Sequence, residues 1–292
     1  MLADTHNILY KQLVMMVYRL LITPVFEVDY ISKEAIELDI SPRGIELTIF
    51  ELLSSGCATY PDIKAALTEA FASHQQTSMI SRLSDDSLYK TLSLLRKRNL
   101  IQSCRYFDRA RSRNFVLYAN TENSIEVLVR ESGYRRDHIR SPYLPGRYSY
   151  WHDMDLTKVV RTIKRDCPPY SYFFGLKDEY ALRRSAEKAK KGDLYPDLEL
   201  HLRARSGDEY FFRIEVQRHR QRVDEFARKL SKHRNNLVLC KDQALIHDIA
   251  DSHVYVDNNA IFAVIDDFAE NGLFKTRWLS TNGQIVGLRY SG

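Results

Sequence analysis

The sequence predicts an α/β (α+β) protein of two modules, the first helical and closed by a β-hairpin, the second a mixed sheet flanked by helices. Three observations predict it. Apolar residues recur at helical spacing from residue 41 to about 98, then give way to two short β-rich runs. Near residue 197 the period changes to two, with Leu198, Leu200 and Leu202 alternating with Asp197, Glu199 and His201. Between these regimes, residues 135–148 read as a loop-like bridge. The expected organisation is an apolar helix and connector over 1–40, one module over 41–135 and a second over 148–292.

Bulk properties bound the function. A chain of 292 residues suits two domains. With 44% hydrophobic and 28% charged residues, and only 11 Gly and 8 Pro, it can build soluble cores and is no linker-rich or disordered chain. Cys57, Cys104, Cys167 and Cys240 stand far apart without a C-x-x-C, which fits neither a zinc knuckle nor a secreted disulfide scaffold. The start, Met1-Leu-Ala-Asp, has no basic segment ahead of an apolar run. The apolar stretch from Leu13 to Phe26 contains Arg19 and Pro24 and is too short to span a bilayer. A cytoplasmic protein without membrane contact is expected. Residues 5–22 read as a helix apolar on most faces, to be covered by this chain or by a second copy, so a homodimer stays open.

The first module builds up element by element. Ser41-Pro-Arg-Gly opens a helix to about residue 54, ended by Ser54-Ser-Gly. A second helix runs over about 61–72. A third runs over about 84–98, with Ser84 as cap, Asp85 and Asp86 in the first turn, and a stripe of Leu88, Leu92 and Leu95. Two short strands follow, around 100–107 and 114–118, joined by a basic turn. Three helices and a basic hairpin are the outline of a winged helix-turn-helix, in which a helix enters the major groove and the hairpin reaches neighbouring phosphates.

Charge supports that reading. The net charge is only +5, but residues 96 to 113 hold seven Lys or Arg against one acid, Asp108. The expected DNA contacts are Lys90, Arg96, Lys97, Arg98, Arg105, Arg109, Arg111 and Arg113, each able to neutralise a phosphate and release a counterion. Double-stranded DNA is the expected partner.

In the second module a helix from about Met154 and another over about 177–190, bearing Glu179, precede the alternating strand at 197–205. A turn at Ser206-Gly-Asp leads into a returning strand, on which Arg213, Glu215 and Gln217 share one face. A helix carrying Lys229 and a further strand at 236–240 follow. Two more strands, near 276–279 and 284–288, are expected to extend the sheet. No Gly-rich phosphate loop is present, and no H-x-x-x-H pair or Ser-His-Asp spacing stands out; His152 and His201 read as structural or DNA-contacting.

The order helix, Pro196-Asp197 strand, hairpin, Glu215-Val216-Gln217 strand, helix, strand resembles the PD-(D/E)xK nuclease superfamily, whose fold is that of restriction endonucleases. The resemblance implies a catalytic set of Glu179, Asp197, Glu215, Gln217 and Lys229, with Asp197 and Glu215 as ligands of Mg²⁺, a hard cation that takes oxygen donors and activates water. The departure is Gln217, where the superfamily has Lys. Taken together, the winged helix, Trp151-His152-Asp153, Glu179 with Ala-Leu-Arg-Arg, Pro196-Asp197, Phe212-Arg-Ile-Glu215-Val-Gln-Arg and Arg228-Lys229-Leu230 look similar to the replication-relaxation family, which includes MobC-type mobilisation accessories. That implies a DNA-binding accessory of a plasmid or conjugative element, acting with a relaxase or a replication protein at an origin. Two rival expectations are an active Mg²⁺-dependent DNA endonuclease and a winged-helix transcriptional regulator whose second module senses or dimerises.

Overall fold

A computed structural model describes residues 42–73, 84–108, 111–132, 134–146, 149–167, 172–186, 194–204, 207–219, 223–231, 235–250 and 260–288. The helix expected over residues 5–22 lies outside them. Residues 45–292 form one compact unit.

The architecture is mixed α/β, with a small antiparallel sheet of three strands and a mixed sheet of seven. The chain begins with α1 (Pro42–Leu53), β1 (Ala58–Thr59), α2 (Tyr60–Ser73) and α3 (Asp85–Lys97). The hairpin β2 (Ile101–Asp108) and β3 (Arg113–Asn120) follows, and β1 pairs with β3 to give the order β1-β3-β2. The start of α3 is set locally: Ser84 has extended dihedrals and its hydroxyl accepts the Ser87 N–H at 3.2 Å. Leu88, Leu92 and Leu95 are at most 1% exposed, so one stripe of α3 anchors it and the opposite face is left to solvent.

Helix α4 (Glu122–Ser132) and a 3-10 turn (Arg136–His138) lead to the long α5 (Tyr150–Asp166). Then come β4 (Tyr172–Asp178), α6 (Glu179–Ser185), β5 (Leu198–Ala204), β6 (Glu209–Gln217), α7 (Val223–Ser231), β7 (Asn236–Cys240) and α8 (Gln243–Ala250). The chain closes with β8 (Ala260–Val264), α9 (Ile265–Asn271), β9 (Trp278–Ser280) and β10 (Ile285–Val286). The order β10-β9-β8-β7-β6-β5-β4 combines an antiparallel meander, β4 to β6, with parallel β6, β7 and β8. The strands at 278–280 and 285–286 do extend the sheet.

The sheet is packed on both faces. Leu198, Leu200, Leu202, Ile214 and Val216 meet α5 and α9 through Leu156, Val160, Ile163 and Phe268. On the other face, Val238, Cys240 and Phe262 meet Phe226 and Leu230 of α7 and Ile246 of α8. One expectation is corrected. The helix placed over 177–190 is preceded by β4, so Lys177 and Asp178 are strand residues, and α6 begins at Glu179. The reason is local: the Asp178 carboxylate caps α6 by accepting the Ala181 N–H at 2.8 Å, so the helix begins only after it.

The residues from 134 to 146 are wedged between the two sheets. The buried Arg140 guanidinium meets Asp153 Oδ1 at 2.8 Å and the Tyr143 hydroxyl at 2.8 Å, and stands 3.8 Å from Asp178. Cys57 Sγ donates to the other Asp153 oxygen at 2.9 Å, and the Arg140 N–H donates to Ser54 O at 3.0 Å. Apolar contact runs alongside, with Tyr106 and Phe115 of the hairpin packed on Tyr150 at 5.5 and 5.2 Å. Gly56 has φ +134°, and a Cβ there would lie 2.2 Å from Thr157 Oγ1 and 2.5 Å from Arg140 Nη1. Gly56→Ala is therefore expected to lower stability by about 2 kcal/mol or more in urea unfolding, through strain and forced displacement of both side chains.

Lys164 lies under the same junction. Its ammonium donates to Ser54 Oγ at 2.6 Å and sits 5.6 Å from the Tyr134 ring centre. Burial pushes its pKa down to about 7, Glu51 opposes the fall, and the Arg140 and Arg161 charges assist it. The unfolded chain then holds a proton that the folded chain lacks between about pH 7 and the ordinary lysine value. Stability from this group should rise with pH over that window. Unfolding at several pH values should show about 1–2 kcal/mol more stability near pH 9 than near pH 7, a gain that Lys164→Met abolishes.

Candidate functional site

Two groups of side chains stand out, one basic and one acidic. The basic group occupies the solvent face of α3 and the hairpin. Lys90, Arg96, Lys97 and Arg98 are exposed because the leucine stripe faces inward, Arg105 and Arg113 are exposed on β2 and β3, and Arg111 is exposed in the turn before β3. Arg98 lies 3.7 Å from Glu46 and Arg111 3.9 Å from Asp108. Lys90, Arg96, Lys97, Arg105 and Arg113 form no ion pair among the described residues. Arg109 lies outside them. Tyr89 is 53% exposed and stacks on Tyr60 at 4.2 Å, while Asp85 is held by Lys64 at 2.7 Å. Asp85 at the start of α3 is thus neutralised locally, whereas its neighbour Asp86 and the five cations beyond it form no ion pair among the described residues.

The acidic group forms where β5 starts and β6 ends. The antiparallel register sets Leu198 against Ile214 and Glu199 against Arg213. Asp197, one residue before β5, therefore comes beside Glu215, and its Oδ2 accepts the Val216 N–H at 2.7 Å. Glu215 and Gln217, two apart on β6, share the face covered by α7. From that helix Lys229 reaches Glu215 Oε2 at 2.5 Å and Asp197 Oδ1 at 4.0 Å. From α5, His152 Nε2 stands 3.4 Å from Asp197 Oδ1. Glu179 donates its backbone N–H to Asp197 O at 3.2 Å, but its carboxylate turns to Arg183 at 2.6 Å. The structure thus gathers Asp197, Glu215, Gln217 and Lys229, and leaves the Glu179 carboxylate at the rim.

The electrostatics are those of a closed cluster. Asp197 is 8% exposed, Glu215 and Gln217 2% each. Burial would raise the Asp197 carboxyl, yet His152, Lys229 and the Val216 N–H outweigh it and hold the group below the usual range. Glu215 is pushed well above that range, first by burial and then by the Asp197 charge, against the pull of Lys229. Burial would lower Lys229, but the two carboxylates raise it. His152 is raised in the same way, burial being overcome by Asp197. Gln217 Nε2 is buried without a hydrogen-bond partner among the described residues.

A Mg²⁺ ion takes near-octahedral oxygen coordination, and this donor set fits it poorly. One oxygen of Asp197 is tied to a backbone N–H, one oxygen of Glu215 is held by an ammonium, and that ammonium already supplies positive charge to both carboxylates. Among the described residues no group of three or more His, Cys, Asp or Glu side chains is placed to hold a metal ion.

Sequence reasoning gave no role to Arg140 and no partner to His152. A signal for both lay in Trp151-His152-Asp153 at the start of α5. In the structure His152 faces Asp197, Asp153 takes Arg140, and Trp151 lies under the Arg218 guanidinium at 5.5 Å. Comparison with family models, curated proteins and solved structures returned no match. No helix among the described residues is long and apolar enough to cross a membrane.

Proposed function

We propose that this chain is a DNA-binding accessory protein of a mobile genetic element. In this reading a winged helix-turn-helix holds double-stranded DNA, and a restriction-endonuclease-like module has lost cleavage. The observation that carries it is the set of exposed cations on α3 and the hairpin, five of them without an acid partner among the described residues. Like charges crowded on one surface repel unless a polyanion relieves them, and phosphate contacts supply most of the affinity of such surfaces. The order α1-β1-α2-α3-β2-β3 with sheet order β1-β3-β2 suits a winged helix, in which α3 enters the major groove. The resemblance to the replication-relaxation family supplies the setting, an origin at which a relaxase or replication protein is the partner.

Loss of cleavage rests on the acidic cluster. With Gln217 where nucleases have Lys, and Lys229 bonded to Glu215, the carboxylates are neutralised from within. A second reading, a Mg²⁺-dependent endonuclease, is favoured by one fact: Asp197, Glu215 and a lysine do converge within 4.0 Å. One experiment separates them. Purified protein incubated with supercoiled plasmid and Mn²⁺ is expected to retard the plasmid without nicking it. Nicking that disappears in Asp197→Ala would establish the endonuclease instead.

A further inference from the structure

A cavity of about 830 Å³ opens where the end of α4 and the 3-10 turn meet β4 and α6. Its volume falls in the range of small-molecule sites. Val129, Ile139, Leu176 and Ala181 give it an apolar wall, and Val129 remains 39% exposed there. The rest is basic: Arg135, Arg136, Lys177 and Arg184 line it. Two carboxylates adjoin these cations. Asp137 accepts from Arg135 at 3.1 Å, and Glu122 is shared between Arg136 at 3.3 Å and Arg184 at 3.9 Å. Among the described residues four cations against two carboxylates leave two positive charges, and Lys177 has no acid partner there.

An apolar wall beside a surplus of two charges asks for a ligand with both characters. A plain inorganic anion would leave Val129 uncovered, and an uncharged ring would leave Lys177 without a counter-ion among the described residues. Fork-shaped guanidinium groups suit phosphate oxygens in particular. A rigid duplex does not enter a concave site of this size.

We infer that this cavity binds a nucleoside phosphate, with the base against Val129, Ile139 and Leu176 and the phosphate on Lys177 and Arg184. The ligand is either a free nucleotide or an unstacked nucleotide of a single strand. The site draws on α4 and the 3-10 turn before the bridge and on β4 and α6 after it, so an occupant is gripped by both halves of the protein. It uses neither α3 nor the hairpin, so a failure of duplex binding leaves it standing.

The test is titration calorimetry of the full chain with ATP, with hexathymidylate and with adenosine. At least one of the two phosphorylated probes is expected to bind, and adenosine at least tenfold more weakly. ATP alone identifies a free nucleotide as the source, and hexathymidylate alone a strand. The double change Lys177→Glu, Arg184→Glu reverses two exposed charges and should weaken binding by tenfold or more. Ser185→Trp, an exposed position on the lining, should obstruct the site without altering its charge. No binding of either phosphorylated probe overturns the inference, as does binding that survives both the charge reversal and Ser185→Trp.

Discussion

Replacing Lys90, Arg96, Lys97 and Arg113 together by Ala is expected to weaken duplex binding by about a hundredfold at low salt. All four side chains are exposed and none forms an ion pair among the described residues, so the fold should be unaffected. The loss should come with a smaller salt dependence. Each phosphate contact removed lowers the slope of log K against log salt by roughly 0.9. Fluorescence anisotropy with a labelled duplex, titrated across roughly 50 to 200 mM salt, reads both quantities. Unchanged affinity and slope would remove the winged-helix reading.

The second large effect concerns the acidic cluster. Lys229→Met leaves Asp197 and Glu215 buried side by side, with the His152 contact to Asp197 still in place. Breaking a buried pair by removing one partner costs about 3–5 kcal/mol, and a loss of that size is expected in urea unfolding. The pH dependence should change with it. Without the ammonium, Glu215 is held still further above its ordinary value, so the folded state binds a proton that the unfolded state has released. Stability of the variant should therefore rise as pH falls from neutral toward the ordinary glutamate value, about 4.3, and the wild type should show this less. Adding Glu215→Gln to Lys229→Met should recover much of the loss, because no second charge then remains to be compensated. A Lys229→Met protein as stable as the wild type would mean that the ion pair contributes nothing.

Much of this arrangement was legible in the sequence, and the particular residues show why. The stripe Leu88, Leu92 and Leu95 is written at helical spacing, and its burial follows from that alone. Leu198, Leu200 and Leu202 alternate with polar residues, so strand and buried face are both readable, and the turn near Gly207 places Asp197 beside Glu215. Lys229 was recognisable as a group on the next helix. That it takes Glu215 as its partner was not, because the contact depends on how far α7 leans over the sheet. The β4 strand was missed where the chain passes straight from strand to helix at a single capping aspartate. Arg140 was invisible for a different reason. Its partners Ser54, Asp153 and Asp178 come from three separate elements, and no local pattern announces a side chain satisfied by such distant groups.

The Arg140 junction bears on how the molecule comes apart. Ser54 and Ser55 stand before the bridge, Asp153 and Thr157 after it, and Arg140 bonds to both sides, its backbone N–H to Ser54 O and its guanidinium to Ser55 O, Thr157 and Asp153. Splitting the halves would strand a cation and two carboxylates in apolar surroundings and expose Tyr106, Phe115 and Tyr150 at once. Neither half is therefore a separate melting body. In calorimetry residues 45–292 should give one endotherm, whose van't Hoff and calorimetric enthalpies agree. In evolutionary terms, a first half joined this way cannot be exchanged as a cassette: a recombination point within residues 134–146 would divide the cluster, and a donor half would arrive without the groups that complete it.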